Sequence, residues 1–158
     1  MNWRSDREAV LSFQQEVYET NFPGFRISGA FLRDYEQQLR QALRTASERL
    51  LVLDHDGEVA GFLWLALLAT AVDPCVGYIK NVYVAPQLRG QGYGRRLLEV
   101  ADEWFRANGC RRGTLDASVC NERAVEIYEN AGYRPVRYRM EKIYPDYLDE
   151  DHVTGEMR

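Results

Sequence analysis

Histidine and cysteine are scarce in this chain, two and three residues among 158, and their scarcity excludes some chemistry. His55 and His152 lie far apart, and Cys75, Cys110 and Cys120 form no CxxC pair, so no metal-ligand set of the usual spacing can be drawn. The odd cysteine count points to reduced thiols in a cytoplasmic protein. No apolar run reaches the roughly 18 residues that a membrane-spanning helix needs. The longest, around "GFLWLALLATAV", has the length of a strand or core segment. The opening "MNWRSDREAV" lacks the basic-then-apolar order of a secretory signal. Positive charge is not in excess either: a net charge of −4 argues against a nucleic-acid binder held by general electrostatics. What remains is an ordinary globular composition, 46% apolar and 28% charged, on a chain long enough for one substantial core and short for two.

Periodicity then divides the chain. Ser5 or Asp6 is placed to cap a first helix reaching about Thr20, with Ala9, Val10, Phe13 and Val17 on one face. "NFPGF" breaks it. A second helix over about Gly29 to Ala46 repeats Phe31, Leu32, Tyr35, Leu39, Ala42 and Leu43 at helical spacing. "RLLVLD" and "EVAGFLWLALLA" read as strands joined by a tight turn at Asp54 to Gly57. Phe62 and Trp64 alternate on the second of them, as core residues do. "GYIKNVYVAP" is a further strand, stopped by Pro86. A helix to about Ala107 follows, with Leu97, Leu98, Ala101, Trp104 and Phe105 in its apolar stripe, and Gly109 ends it. "RGTLDASV" is another strand, Asn121 caps a short helix closed by Gly132, and "YRPVRYRMEKIY" alternates as a last strand. The order implies one mixed α/β domain over residues 1–145, with an acidic tail over 146–158 expected to fray.

The segment "VAPQLRGQGYGRRLLEVADEWF" carries the chemistry. Glycine costs folding entropy, and arginine beside a helix N-terminus faces the positive end of the dipole. Gly90, Gly92 and Gly94 with Arg89, Arg95 and Arg96 make sense together beside an anion; the alternative is a plain loop entering a helix, with solvated arginines. A glycine turn between strand and helix exposes backbone N–H groups that suit the oxygens of a di- or triphosphate. The Walker pattern fails, because Arg95-Arg96 stands where Lys-Ser or Lys-Thr is required. The dinucleotide pattern fails too, because Arg95 occupies the position of its third glycine.

Arg89-Gly90-Gln91-Gly92-Tyr93-Gly94 resembles the Arg/Gln-x-x-Gly-x-Gly/Ala signature of the GNAT superfamily of acetyl-CoA-dependent N-acetyltransferases. A second block, "NERAVEIYENAGY" from Asn121 to Tyr133, resembles that superfamily's Asn-x-x-Ala-x-x-x-Tyr-x-x-x-Gly-Phe/Tyr block. The likeness covers Leu50 to about Ile143. It implies the GNAT acyltransferase fold, a central mixed twisted sheet flanked by about four helices. It also implies an enzyme that moves the acetyl group of acetyl-CoA directly to a primary amine, with no metal.

On the same resemblance, N–H groups of Gly90, Gln91, Gly92, Tyr93, Gly94 and Arg95, beside Arg89, would hold a pyrophosphate. Val82, Tyr83 and Val84 would pair with the pantetheine arm as a strand would. Asn121 would contact that arm besides capping its helix. Acetyl transfer needs a neutral amine, a stabilised oxyanion and a protonated thiolate. Tyr128, seven residues after Asn121, falls at the superfamily's catalytic tyrosine and would protonate the sulfur; a core tyrosine is the plainer reading of its place on an apolar stripe. The glutamate that many relatives carry on the strand before the glycine turn is replaced by Tyr78. Asp116 in "TLDASVCN" is then the candidate base, at the position where ribosomal-protein N-terminal acetyltransferases carry an acid, with Asp73 a weaker candidate. The N–H of Val82 would face the oxyanion.

The acceptor is an amine, either a small molecule or part of a protein or peptide, and Glu16, Glu19 and Asp73 could draw in its cation. No nucleic acid or membrane partner is expected. The superfamily's final hairpin strand is not evident, which leaves the acceptor wall open to completion in a homodimer. The rival readings are a non-catalytic CoA-binding sensor or scaffold, and a P-loop hydrolase opposed by the absent Lys-Ser/Thr. Cys120 invites an acyl-cysteine, but the superfamily transfers directly, so no catalytic part is given to it.

Overall fold

The computed structural model describes residues 1–142. The expected tail and the last two residues of the expected final strand, 143 and 144, lie outside them. Helix α1 (Trp3–Asn21) and helix α2 (Gly29–Ala42) are followed by β1 (Glu48–His55), β2 (Glu58–Leu68) and β3 (Val76–Val84). A 3₁₀ turn (Pro86–Leu88) then leads into α3 (Tyr93–Ala107), β4 (Gly113–Leu115) and α4 (Glu122–Asn130).

Local chemistry fixes most of these boundaries. Asn2, rather than Ser5 or Asp6, caps α1: its side chain accepts from the Arg4 N–H, while Asp6 Oδ2 accepts from the Asn2 N–H at 2.5 Å. The carboxylate is used from inside the helix, and an expectation based on the first polar residue before the apolar stripe lands one turn late. Helix α2 stops at Ala42, short of Ala46, because the Arg44 and Thr45 N–H groups bond back to Gln41 and Ala42 in a tightened last turn. Asp56 (φ 55°) and Gly57 (φ 84°) are consecutive left-handed residues, the geometry of a two-residue hairpin turn whose twist matches its strands.

The sheet order is β1-β2-β3-β4, antiparallel except for a parallel pair between β3 and β4. β2 is buried on both faces. Phe62 and Trp64 join Val10, Tyr35, Leu39, Ala42 and Leu50 under α1 and α2. Leu63 and Leu65 join Ile79, Leu97, Leu98, Ala101 and Phe105 under α3. Gln14 is fully buried on the inner face of α1, where its amide donates to Val10 O.

Two irregularities shape the end of the sheet where β3 finishes. Trp64 pairs with Asn81 and Leu65 with Ile79, so Lys80 is an extra residue and β3 bulges there. The bulge turns Lys80 and Asn81 to the same face: Lys80 Nζ lies 3.9 Å from the centre of the Trp64 ring, and Asn81 Nδ2 donates to Gln14 and Tyr35. β4 pairs with β3 only from Gly113 to Leu115, against Gly77 to Ile79. Beyond Ile79 and Leu115 the ladder ends, a break in pairing termed the notch.

Two further expectations are corrected. Cys75 and Cys110 are disulfide-bonded, with Cα atoms 4.9 Å apart, and Cys120 alone is a free, exposed thiol. Spacing along the chain could not show this, because the two residues meet only when β3 and β4 enter the sheet side by side. The described part of "YRPVRYRMEKIY" is not a strand: Val136, Tyr138 and Met140 are 82%, 89% and 92% exposed, and the segment pairs with no described strand. Its alternation defines a face but not a neighbour. Among the described residues, no helix is long and apolar enough to cross a membrane.

Candidate functional site

Tyr78 and Asp116 project from β3 and from the residue after β4, on the face of the sheet that carries α1 and α2. The Tyr78 hydroxyl donates to Asp116 Oδ2 at 3.0 Å, and Oδ1 accepts from no described residue. Burial, and then the bond to the carboxylate, push the Tyr78 hydroxyl up to about 12, with Arg139 opposing. At neutral pH Tyr78 is therefore a proton-bearing donor that orients Asp116 and leaves one oxygen open. Asp73, by contrast, accepts from the Cys75 N–H and pairs with Arg112 at 3.2 Å at the opposite end of β3. The structure brings Asp116 to the notch and does not bring Asp73.

The glycine turn follows the 3₁₀ turn at the far end of β3. Gly90 and Gly92 have φ of 78° and 88°, which β-carbon-bearing residues rarely adopt. Gly94 has no such need, since it lies inside α3, and a β-carbon on it would meet nothing within 4 Å. Backbone conformation and packing within the protein both leave room for alanine there, as does the signature that the turn resembles. The first bond closing α3 runs from the Arg96 N–H to Gly92 O, and among the described residues the N–H groups from Gly90 to Arg95 have no acceptor. The turn is thus an open fan of donors, and a β-carbon at Gly90 or Gly92 would also meet only empty space. This geometry fits paired phosphate oxygens at a helix N-terminus.

The arginines take separate paths. Arg95 and Arg96 pair with Glu99 along α3 at 3.2 and 3.3 Å. Arg89 turns away from the fan: Nε donates to Val84 O at 2.8 Å, and Nη2 meets Glu16 Oε1 on α1 at 2.6 Å. Glu16 Oε2 also accepts from the Tyr83 hydroxyl at 2.7 Å, and burial, then Glu16, push that hydroxyl up to about 12. Tyr83 stacks on Phe13 with ring centres 4.4 Å apart. Val82 and Val84 face the α3 side, where they pack against its core.

Tyr128 packs on that same core with Val82, Val84 and Leu115, so α4 sets it on the α3 side of the notch. Its ring lies 6.2 Å from that of Tyr133, its hydroxyl bonds to no described residue, and burial pushes its titration upward. Asn121 caps α4 by accepting from the Ala124 N–H, and its amide donates to Asn21 Oδ1 on α1 at 3.2 Å. Cys120 meets Ser118 at 2.9 Å on the exposed side. Among the described residues no group of three His, Cys, Asp or Glu side chains gathers as a cation site requires.

Sequence reasoning missed three participants: Tyr78 as partner of Asp116, Glu16 as partner of Arg89, and Asn21 as partner of Asn121. Each pairing joins elements far apart in the chain and leaves no local signal. Asn81 has a signal only in the structure, where its buried Oδ1 lacks a partner at the bulge.

Comparison with known proteins agrees with the geometry. The model of the acetyltransferase (GNAT) family matches residues 13–133. An aminoglycoside N(6')-acetyltransferase type 1 of Stenotrophomonas maltophilia is 33% identical over 113 residues, which span 66% of this chain and 74% of that protein. The solved structure of a putative acetyl transferase from Pyrococcus furiosus superposes with a TM-score of 0.70 at 27% identity, covering 87% of this chain and 93% of that one. An aminoglycoside N-acetyltransferase solved in complex with CoA shares the fold, with a TM-score of 0.67 at 16% identity over 87% of this chain and 90% of its own.

Proposed function

The chain belongs to the GNAT family of acetyltransferases, and on that premise we propose that it carries the acetyl group of acetyl-CoA directly to a primary amine. The observation that carries the donor half of this reading is the unpartnered N–H fan from Gly90 to Arg95, opening beside a notch between parallel strands. A neighbour of the same fold was solved with CoA, which supports the same ligand class.

Bound acetyl-CoA would supply an acyl group activated as a thioester. The chain's own groups divide the remaining work. Val82, Tyr83 and Val84 offer a strand edge to an extended amide-bearing arm. The free Oδ1 of Asp116 takes a proton from the acceptor ammonium, directly or through a water, while Tyr78 holds the carboxylate still. Tyr128 gives its proton to the departing sulfur, whose thiol titrates at about 8.5 when free. The Val82 N–H faces the carbonyl oxygen as negative charge develops there.

For the acceptor we favour a single amine over a polycation. Glu16 is held by Arg89 and Tyr83, Glu48 by Lys80 and Trp64, and Asp73 by Arg112, so these three carboxylates are already neutralised, while Glu19 pairs with no cation among the described residues and accepts from the Gln15 amide. The connection between α1 and α2 is aromatic instead: Phe22 and Phe25 are exposed there beside Tyr18 and Phe31. A thiol-release assay with acetyl-CoA over a panel of N-terminal peptides, lysine peptides, aryl and alkyl monoamines and aminoglycosides tests both halves. Turnover with a monoamine or peptide is expected. No turnover with any amine would reject the transfer, and a clear preference for aminoglycosides would reject the acceptor class.

A further inference from the structure

In the sequence Arg89 stands as part of an anion-binding turn, yet the structure directs its charge away from that turn. Its guanidinium is held at two points, by the last carbonyl of β3 and by a carboxylate on α1, and it also lies 5.4 Å from the centre of the Tyr83 ring. Glu16 is the other end of this arrangement and spends both oxygens on it, one on Arg89 and one on Tyr83. The glycines that follow have no side chains with which to fix themselves. On the strand side the turn is anchored by buried Leu88, by the Gln91 amide on Gln87 O, and by Arg89.

We propose that Glu16 is a positioning residue for the donor site: through Arg89 it fixes the direction in which the glycine turn presents its N–H fan. The proposal rests on the reading that this turn receives the pyrophosphate of CoA. Glu16 would touch neither the cofactor nor the reacting atoms. A carboxylate opposite a guanidinium with both oxygens engaged is a geometrically selective contact, which a neutral isostere keeps in shape but weakens. A fan that must meet several phosphate oxygens at once loses affinity when its first residue is free to rotate.

The test is calorimetric titration of CoA into the full chain, with steady-state kinetics in acetyl-CoA, for wild type, Glu16→Gln, Arg89→Lys, the double variant, and Glu8→Gln as an exposed control on the same helix. Glu16→Gln should raise Kd for CoA and KM for acetyl-CoA by the same factor, about 5- to 10-fold, which is the scale of one partly screened charge-assisted bond. kcat should stay within about twofold, the signature of lost uniform binding. Adding Arg89→Lys should cost less than the sum of the two single changes, because both break the same ion pair, although Arg89→Lys also loses the bond from Nε to Val84 O. Three results would overturn the proposal: an unchanged Kd, additive effects, or a fall in kcat and in thermal midpoint with no separate change in KM. Tighter CoA binding would overturn it too, since Arg89 would then be a ligand that Glu16 withholds. If wild type itself gives no heat with CoA, the reading beneath fails, and the strut with it.

Discussion

The hydroxyl of Tyr78 donates to Oδ2 of Asp116 across 3.0 Å, at the point where two parallel strands stop pairing. On the proposed reading Asp116 is the base, and Tyr78 steadies it from the neighbouring strand while leaving Oδ1 open.

Asp116→Asn should therefore cut kcat roughly 100-fold, within the range for losing a general base, and flatten the acidic side of the pH–rate profile. Tyr78→Phe should cost only about fivefold, the loss of one orienting hydrogen bond. A pH–rate comparison of the three proteins decides it: an acidic limb that survives in Asp116→Asn assigns the base elsewhere.

Tyr128→Phe removes a hydroxyl that bonds to no described residue and leaves the ring packed on the core. Folding and CoA affinity should stay near wild type, while kcat falls by about two orders of magnitude if the hydroxyl donates to sulfur. Equal turnover of the two proteins would make Tyr128 a packing residue only.

Gly94→Ala separates binding from folding. Gly94 is helical and has space around it, so alanine should raise stability by up to about 1 kcal/mol. The signature that this turn resembles admits alanine at this position, so acetyl-CoA affinity should stay within about twofold of wild type. A loss of about tenfold or more would mean that the ligand passes closer to Gly94 than that signature allows.

Alkali should weaken the fold over a defined window. Burial, and then a neighbouring carboxylate, push the Tyr78 and Tyr83 hydroxyls up to about 12; burial, then Asp102, does the same at Tyr133. The folded values lie above the ordinary tyrosine value of about 10, so the unfolded chain releases these protons first. Stability is whole below about pH 10 and is lost as pH rises toward about 12. Thermal midpoints measured across that interval should decline, and Tyr78→Phe should soften the decline; a flat profile would contradict the assigned environments.

Reductant should lower the thermal midpoint without unmaking the site. The bridge between Cys75 and Cys110 spans 35 residues, and closing a loop of that size contributes about 3–4 kcal/mol in the chain-entropy account. Cys75→Ser/Cys110→Ser should match the reduced protein. If neither treatment moves the midpoint, the two thiols are not joined in solution.

What could be read from the chain was what short stretches dictate. Asp56-Gly57 makes a hairpin turn wherever it stands between two strands, and Gly90 and Gly92 need an exposed turn whatever surrounds it. The same holds for Asn121 as a cap and for Phe62 and Trp64 as core. The illegible part was the choice among partners. Arginine in a glycine turn could meet a phosphate or a carboxylate, and only the packing of α1 on the sheet puts Glu16 within 2.6 Å of Arg89. Cys75 and Cys110 are joined by the parallel pairing of the strands that follow them. The alternation of Val136, Tyr138 and Met140 gives a strand's rhythm without a strand's neighbour.

One end of the β3–β4 pair is held twice. The sulfur bridge ties the segments entering the two strands, and the Phe105 ring lies over Gly77 and Gly113, so closely at Gly77 that no methyl would fit. The other end has no ladder beyond Ile79 and Leu115. The two strands thus resemble tongs with a locked rivet, tied at one end and without pairing at the tips, where Asp116 and Val82 stand.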